Sequence, residues 1–568
     1  MTRFVRIRIQ SAVAGFLHLP QPLALAMRNR FRWSWRACWA LVTVALLAAS
    51  PIRAQEGSAP EIKVNVRLVT LDVVVTDKKG NPVTNLTKDD FQVYEDAQRQ
   101  TIRSFEPPSA HTMPQAGGKQ PRVVVTSAAD LPRIGNAPVT LLVLDELNTA
   151  FSDMSFARQS LEKYLLAQPE VLNQPTALLV ADNTRFQLLQ DYTQKRSDVL
   201  AALKAHFPQY PWKMANGGNV GPNAVERIVQ SLSSLLQIAE ATQGTPGCKN
   251  VIWVGVNAPS VDLTNAAPVT RQQIDGLVKR VTQTLLATRV AIYYIDPTAN
   301  SSAIAGLMVP GDTGDTDTFV DSDPFTADVN FDELAPATGG RIFLSRNDVN
   351  NEIATSIDNG NTYYTLSYAP SNLREDAAKF RNIKVKLANP NLIAVTREGY
   401  YPEGENANNL QADASLAAGQ RAKVLQMEMS EAALSKLAYN GLAVAVERSA
   451  DKKLWRIRVD GKALSWTTAS TPASKDRSPG TPAANAASVA EVTAMAVALD
   501  DPAGDRGGTS KVLGHVAREL QQERKAGSPA AEAVVFELPV SIPNGTTRMR
   551  FIVRDAVSGR IGTFDAKP

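Results

Sequence analysis

The sequence predicts an α/β protein with a mostly parallel sheet and helices on both faces, flanked by β units and followed by a C-terminal β-sandwich. Between residues 139 and 360, nearly all-apolar strand segments alternate with amphipathic helical segments, as is typical of a parallel sheet covered on both sides. The apolar runs are 139–144, 177–181, 250–256 and 290–295. Short strand segments with turn signals between them replace this pattern near the C-terminus and predict the sandwich.

The chain has 568 residues, more than one hydrophobic core usually supports, so we expect several domains. An alternation of valine and leucine begins a β unit over 60–106, and a linker rich in Pro, Gly and Ser covers 107–135. The α/β domain covers 136–360, and we expect the strands at 361–402 to pair with the N-terminal unit. The remaining predicted segments are a linker at 403–420, the sandwich at 421–568 and a disordered insertion within it at 466–489.

Residues 1–54 have the three parts of a secretory signal peptide: a basic region, an apolar run from Ala37 to Ala49, and small residues leading to Ala54. The apolar run is short for a membrane span, so we expect cleavage near Ala54 and no span afterwards. This segment holds 8 of the 60 Lys and Arg residues and no acid, which leaves 52 basic against 56 acidic residues, a formal charge of −4. We therefore expect no nucleic-acid partner. The periplasm, the cell envelope and the extracellular space all stay open as destinations.

The sequence offers no catalytic or cofactor site, and we do not expect an enzyme. Cys248 is alone once Cys38 leaves with the signal, so no disulfide forms within the mature chain. Ser160 and Lys163 have the Ser-x-x-Lys spacing, but they lie on a predicted amphipathic helix and no Lys-Thr-Gly follows. The histidines form neither a zinc pair nor a triad; they are His18, His111, His206 and His515.

Polar side chains follow several of the predicted strands. The first strand, in "VTLLVLDELNT", ends in Asp145, Glu146, Asn148 and Thr149. Asp182 follows the second strand, at 177–181. Asp296 follows the strand at 290–295, which is the fifth when the strand in "RFQLLQDYT" is counted. Ligands of open α/β sheets bind at the carboxyl ends of the strands, so we expect these residues on one functional edge.

The succession "LLVLDELNT", "TALLVAD", "RFQLLQDYT", "NVIWVGVN", "VAIYYIDP" and "FDELAPATGGRIF" resembles a von Willebrand factor A (VWA) domain. With "TLDVVVTDKKGNPVTNLTKDDFQVYED" in front and "IKVKLANPNLIAVTREGYYPE" behind, the chain resembles the VWA-related family known from acidobacterial proteins. The resemblance covers most of residues 60–402. It implies a Rossmann-like sheet of the VWA type, and a C-terminal sandwich often accompanies such a domain.

The resemblance also implies a metal-ion-dependent adhesion site that binds Mg²⁺ or Mn²⁺ through Asp-x-Ser-x-Ser, a loop Thr and a later Asp. Asp145 and Thr149 match the first and fifth positions, but Leu147 at the third has no oxygen to offer. At most two of the five ligands are therefore in place. The candidate metal ligands, with asparagines as substitutes, are Asp145, Asn148, Thr149, Asn219 and Asn257.

An acidic loop after the fifth strand, "GDTGDTDTFVDSDP", is predicted to lie above the same edge and to attract a cation or a basic partner. It lacks the Gly and the terminal Glu of a helix-loop-helix calcium site, so Ca²⁺ is less favoured than Mg²⁺ or Mn²⁺. Simpler interpretations stay open, because Asp145 can cap the following helix and the acidic loop can be solvated. The candidate partner-binding residues are Glu146, Asp182, Asp296, Asp312, Asp315 and Asp317.

These observations predict an exported protein-interaction or adhesion module that binds an unidentified protein partner through a degenerate adhesion site. One alternative is a structural cell-envelope protein whose sandwich makes the contacts and whose VWA-like domain has lost its metal. A weaker alternative is a hydrolase with an unrecognised site.

Overall fold

The structure is a computed structural model of the chain. It describes residues 68–114, 123–217, 222–256, 268–298, 331–344, 348–371, 379–402, 418–449, 454–468, 488–501, 510–524 and 532–568. All of these belong to one of the two compact units of the chain, Val66–Pro568. The predicted signal peptide and residues 469–487 of the predicted insertion lie outside the described residues. Within the described part, no helix is long and apolar enough to cross a membrane.

Four strands come first in the chain: β1 (Val69–Thr76), β2 (Phe91–Glu95), β3 (Gln98–Gln100) and β4 (Ile102–Glu106). Two short 3-10 helices, Pro108–His111 and Ala128–Arg133, lie in the segment that was predicted to be a linker. Leu131 and Ile134 of that segment are buried in the core of the α/β domain. Apolar side chains therefore hold this segment against the domain, although its composition resembles that of a loop.

A six-stranded sheet forms the centre of the α/β domain. Its strands are β5 (Val139–Asp145), β6 (Val171–Ala181), β7 (Phe186–Lys195), β8 (Lys249–Val254), β9 (Val290–Ile295) and β10 (Arg341–Phe343). The spatial order is β10-β9-β8-β5-β6-β7, and only β7 runs antiparallel to its neighbour. The order reverses direction between β5 and β8, which is the switch point where doubly wound sheets bind ligands.

Helices cover both faces of this sheet. They are α1 (Phe151–Ala167), α2 (Arg196–Ala205), α3 (Trp212–Gly217), α4 (Pro222–Ala241), α5 (Pro268–Ala287), α6 (Phe331–Ala337) and α7 (Val349–Asn361). In β5, Leu142 and Leu144 pack with residues of α1 and α7, whereas Leu141 and Val143 pack with residues of α4 and α5. Every residue of β5 is buried, which explains its continuous apolar run.

The next four strands are β11 (Tyr364–Tyr368), β12 (Arg381–Leu387), β13 (Ile393–Val395) and β14 (Gly399–Tyr400). They complete two antiparallel sheets with the first four strands, in the orders β13-β1-β11-β4 and β14-β12-β2-β3. Side chains from both sheets share one core that includes Leu71, Phe91, Tyr364 and Ile383. Strands β1–β4 and strands β11–β14 thus form one small β unit, because each of the two sheets contains strands from both groups.

The C-terminal part begins with helix α8 (Ala418–Leu434), so residues 421–434 of the predicted sandwich are helical. Its strands are β15 (Val444–Arg448), β16 (Leu454–Asp460), β17 (Trp466–Thr468), β18 (Ser488–Asp500), β19 (Lys511–Arg524), β20 (Ala533–Pro539), β21 (Arg548–Asp555) and β22 (Ile561–Ala566). One sheet has the order β15-β16-β20 and the other β17-β18-β21-β22, with β19 also paired to β18. Apolar residues of both sheets form a common core, for example Ile457 and Phe551.

The C-terminal part also contacts the α/β domain directly. Met429 of α8, Met495 of β18 and Ile552 of β21 belong to the same hydrophobic core as Leu235 of α4. Taken together, the described residues have a mixed α/β fold with one sheet of mainly parallel strands and several antiparallel sheets.

Candidate functional site

The candidate site lies at the carboxyl ends of β5 and β8, where the strand order reverses. Asp145 is the last residue of β5, and Glu146, Asn148 and Thr149 occupy the turn that leads into α1. These four residues are all buried. Buried polar groups are stable only when hydrogen-bonded, so their partners decide what the site can do.

The carboxylate of Asp145 accepts hydrogen bonds on both of its oxygens. Oδ1 accepts from the backbone amides of Leu147 (3.1 Å) and Asn148 (3.0 Å). Oδ2 accepts from Asn148 Nδ2 (2.9 Å) and Trp253 Nε1 (3.0 Å). Burial raises the pKa of Asp145 to about 6, against the effect of these donors and of nearby Arg227, which favour the charged form.

Asn148 connects this carboxylate to helix α4. Its Oδ1 accepts from Nε of the buried Arg227 at 2.9 Å, and its Nδ2 also donates to Ser231 Oγ at 3.0 Å. Arg227 and Ser231 are one helical turn apart on α4, so both can meet the same amide. Sequence reasoning missed these two residues. In the sequence, Arg227, Ser231 and Ser234 form a row of polar residues at i, i+4 and i+7, beside the apolar face of α4. This row is the pattern from which they could have been found.

Thr149 joins β5 to the end of β8, because its Oγ1 accepts from the backbone amide of Val256 at 2.9 Å. Gly255 precedes that amide with a φ of +154°. A Cβ atom at Gly255 would lie 2.6 Å from Asp145 Cβ and 2.6 Å from Thr149 Oγ1. The close approach of the two strand ends therefore requires glycine here.

We expect Gly255→Ala to lower the free energy of unfolding by about 1–3 kcal/mol, because the methyl group overlaps two buried side chains in a strained backbone conformation. Urea unfolding measures the change. Gly276→Ala on α5 is the matched control, since a Cβ at Gly276 meets no atom within 4 Å. Equal stability of the two variants would contradict this account of the site.

Glu146 holds a neighbouring loop. Its Oε1 is 2.8 Å from Nε2 of His206, and its Oε2 accepts from the backbone amide of Gln209 at 3.1 Å. Arg158 Nη2 donates to the carbonyl of His206 at 2.8 Å, and Asn183 Nδ2 donates to the carbonyl of Tyr210 at 2.8 Å. We call residues 206–212, "HFPQYPW", the aromatic loop.

The aromatic loop presents three large side chains to solvent: Phe207 is 85% exposed, Tyr210 64% and Trp212 46%. Pro208 and Pro211 restrict the backbone between them. Exposed aromatic residues are unusual on a surface with no partner and are enriched at protein interfaces. Sequence reasoning missed this loop, although three aromatic residues and two prolines within seven positions are a recognisable signal.

The two other acids of the predicted edge, Asp182 and Asp296, accept hydrogen bonds from residues of the turns in which they lie. Asp182 Oδ1 accepts from Thr184 N (2.7 Å), Thr184 Oγ1 (2.7 Å) and Arg185 N (2.9 Å), and Gln187 Nε2 bonds its Oδ2. Asp296 Oδ1 accepts from Thr298 N (2.8 Å) and Thr298 Oγ1 (2.7 Å). Such bonds are typical of Asp in turns.

Other predicted site residues, namely Asn219, Asn257, Asp312, Asp315 and Asp317, lie outside the described residues. In the described part of the chain, no three His, Cys, Asp or Glu residues are grouped so that they could hold a metal.

Two of the three described ligand candidates, Asp145 and Asn148, do not fit a divalent cation. Mg²⁺ and Mn²⁺ bind oxygen lone pairs. The lone pairs of Asp145 already face N–H donors, and Oδ1 of Asn148 faces Arg227. The groups that converge on the Asp145 carboxylate are donors, which repel a cation.

No protein-family model matches the chain, and no curated protein matches it. Among solved structures, an aerotolerance-related membrane protein from Bacteroides fragilis is similar over 39% of this chain and 98% of its own, with 11% identity and a TM-score of 0.22. The PilB minor pilin from Streptococcus sanguinis is similar over 39% of this chain and 60% of its own, with 9% identity and a TM-score of 0.23. The SpRpn10 VWA domain is similar over 29% of this chain and 90% of its own, with 11% identity and a TM-score of 0.16. These likenesses are too weak to carry a function.

Proposed function

We propose that this chain is an exported, VWA-like protein-interaction module that contacts its partner through the aromatic loop. The doubly wound strand order supports the VWA-like assignment, and the apolar run between Ala37 and Ala49 supports export. The partner is a protein, and no catalytic role is assigned.

The observation that carries this proposal is the combination of exposure and anchoring in the aromatic loop. Phe207, Tyr210 and Trp212 are exposed, while the backbone between them is tied to buried Glu146 and to Asn183. A loop that is already ordered loses little conformational entropy on binding. Large aromatic side chains on such a loop are the usual anchors of an interface. The buried Glu146 at the end of β5 therefore acts on the partner indirectly, by positioning this loop.

We expect the triple variant Phe207→Ser, Tyr210→Ser, Trp212→Ser to lose the partner while its stability changes little, because exposed side chains contribute little to folding. The measurement is co-isolation of crosslinked partners from the native envelope, with a photo-reactive residue placed at the exposed position 209 in the wild type, the triple variant and the control. The matched control replaces three exposed apolar residues elsewhere with serine: Leu166, Leu434 and Val535, at 55%, 50% and 46% exposure. If the triple variant retained the same partner at the wild-type yield, the aromatic loop would not be the contact surface.

The second candidate function is a structural envelope protein that makes its contacts through the sandwich. Strand β19 favours it, because this strand of 14 residues pairs only with β18 among the described strands. A long strand edge without a partner can pair with another chain. A partner that survives the triple variant but is lost in Val512→Lys, a change at an exposed position of β19, would favour this second function.

A further inference from the structure

The polar centre at the end of β5 is neutralised from within the chain. Arg227 is only 2% exposed, and it lies close enough to Asp145 to favour the charged form of that carboxylate. A guanidinium group remains protonated in proteins and can only donate hydrogen bonds. Arg227 therefore brings a permanent positive charge to the place where the resemblance implies a divalent ion.

The orientation of Asn148 follows from this arginine. Because Arg227 Nε can only donate, the Asn148 atom at 2.9 Å from it must be the carbonyl oxygen Oδ1. The amide nitrogen Nδ2 is then turned to the Asp145 carboxylate at 2.9 Å. An Asn that replaces a metal-binding serine would have to present its oxygen to the ion, and here that oxygen is used by Arg227.

The remaining lone pairs of Asp145 are occupied in the same way. A carboxylate has about four lone-pair positions. The four donors are the amides of Leu147 and Asn148, the Asn148 side chain and the Trp253 indole. The indole is part of the buried core of β8, so it cannot withdraw to admit an ion without opening that core.

We propose that Arg227 is the resident cation of this site, so that the strand end is assembled, and the aromatic loop above it is held, without a divalent metal. This inference deepens the proposed function, because it makes partner binding independent of divalent cations. It is tested without a partner, so its failure and the failure of the proposed function can be told apart.

The test is a calorimetric titration of Mn²⁺ into the metal-stripped full chain, as wild type, Asp145→Ala and Thr149→Val. We expect no saturable Mn²⁺ binding that depends on Asp145 or Thr149, and we expect excess chelator to leave the melting temperature of the wild type unchanged. A loss of about tenfold or more in Mn²⁺ affinity in either variant would overturn the proposal. Binding that both variants retain places the ion elsewhere in the chain and agrees with the proposal. If Asp145→Ala does not fold, Thr149→Val alone decides, since it removes a hydroxyl without changing the side-chain volume.

A second measurement tests the positive charge directly. We expect Arg227→Met to lower the melting temperature of the chelated protein by roughly 5 °C or more, and Arg227→Lys to lower it less because lysine keeps the charge. Arg133→Met is the control, because the Arg133 side chain is 58% exposed. A melting temperature in Arg227→Met equal to that of the control would overturn the role of Arg227 as the resident cation.

Discussion

Replacing Glu428 with alanine is expected to lower the free energy of unfolding by about 3–5 kcal/mol, because it removes the carboxylate shared by the buried Arg554 and the partly buried Arg280. Glu428 lies on α8, and its Oε2 is 2.8 Å from Nε of Arg554 on β21. Its Oε1 forms an ion pair with Arg280 of α5, which also bonds Glu240 of α4 at 2.7 Å. These four charges connect the C-terminal sandwich to the α/β domain.

The burial of this ion cluster explains the size of the effect. Glu428 and Arg554 are each 3% exposed, so neither charge is stabilised by bulk water. Burial raises the pKa of neighbouring Glu240 to about 7 and that of Glu431 to about 7, which shows how strongly this interior opposes a negative charge. A carboxylate that stays charged there depends on its arginine partners, and they depend on it.

Urea unfolding followed by intrinsic fluorescence measures this change. The matched control is Glu537→Ala, which breaks an ion pair between Glu537 and Arg456 whose side chains are 52% and 58% exposed. Exposed pairs contribute at most about 1 kcal/mol, so we expect the control to unfold almost like the wild type. Comparable losses in the two variants would mean that the buried cluster contributes no more than a surface pair.

Trp253→Ala is expected to cost about 3–5 kcal/mol of unfolding free energy, because it leaves a cavity under the candidate site and removes a donor from Asp145. Trp253 is 1% exposed and lies next to the carboxyl end of β8. Its ring meets Tyr294 edge-on, with 6.1 Å between the ring centroids, and its Nε1 donates to Asp145 Oδ2 at 3.0 Å. Packing and hydrogen bonding thus both depend on one side chain.

Trp253→Phe separates the two contributions. It keeps most of the aromatic volume but has no N–H, and we expect it to cost about 1–3 kcal/mol because the buried Asp145 carboxylate loses one of its hydrogen bonds. The control is Trp212→Phe, because Trp212 is 46% exposed and a surface change of this kind alters stability by about 0.5 kcal/mol or less. Should Trp253→Phe unfold like the control, the indole hydrogen bond would not help to hold the site.

Much of the candidate edge could be predicted from local sequence. The apolar run 139–144 indicated a strand buried on both faces, and β5 is buried along its whole length. The turn from Asp145 to Thr149 lies directly at its carboxyl end. Strand burial and strand ends are encoded within a few residues, because they depend on side-chain hydrophobicity and local turn chemistry.

The chemistry of that edge could not be predicted in the same way. Arg227 is 79 positions from its partner Asn148 along the chain, and only the packing of α4 against the sheet brings them together. Sequence spacing carries no information on that contact. For the same reason, the exposure of Phe207, Tyr210 and Trp212 could not be predicted from local sequence. It depends on Glu146 and Asn183, which hold the loop from other parts of the chain.

The sequence by itself determined the alternation of buried strands and amphipathic helices, and the polar ends of those strands, since hydrophobic periodicity is a local property. Tertiary structure alone decided whether residues 511–524 form a helix or a strand. Val512, Gly514 and Val516 alternate as in a strand, but the residues that follow have high helix propensity. All of these residues form β19, which pairs with β18 from Ser488↔Arg524 to Asp500↔Lys511. Helix propensities differ by only about 0.7 kcal/mol per residue or less, so a long ladder with a neighbouring strand outweighs them. Tertiary packing likewise brought Arg227 to Asn148, the residue that bonds the Asp145 carboxylate, because α4 packs against the end of β5.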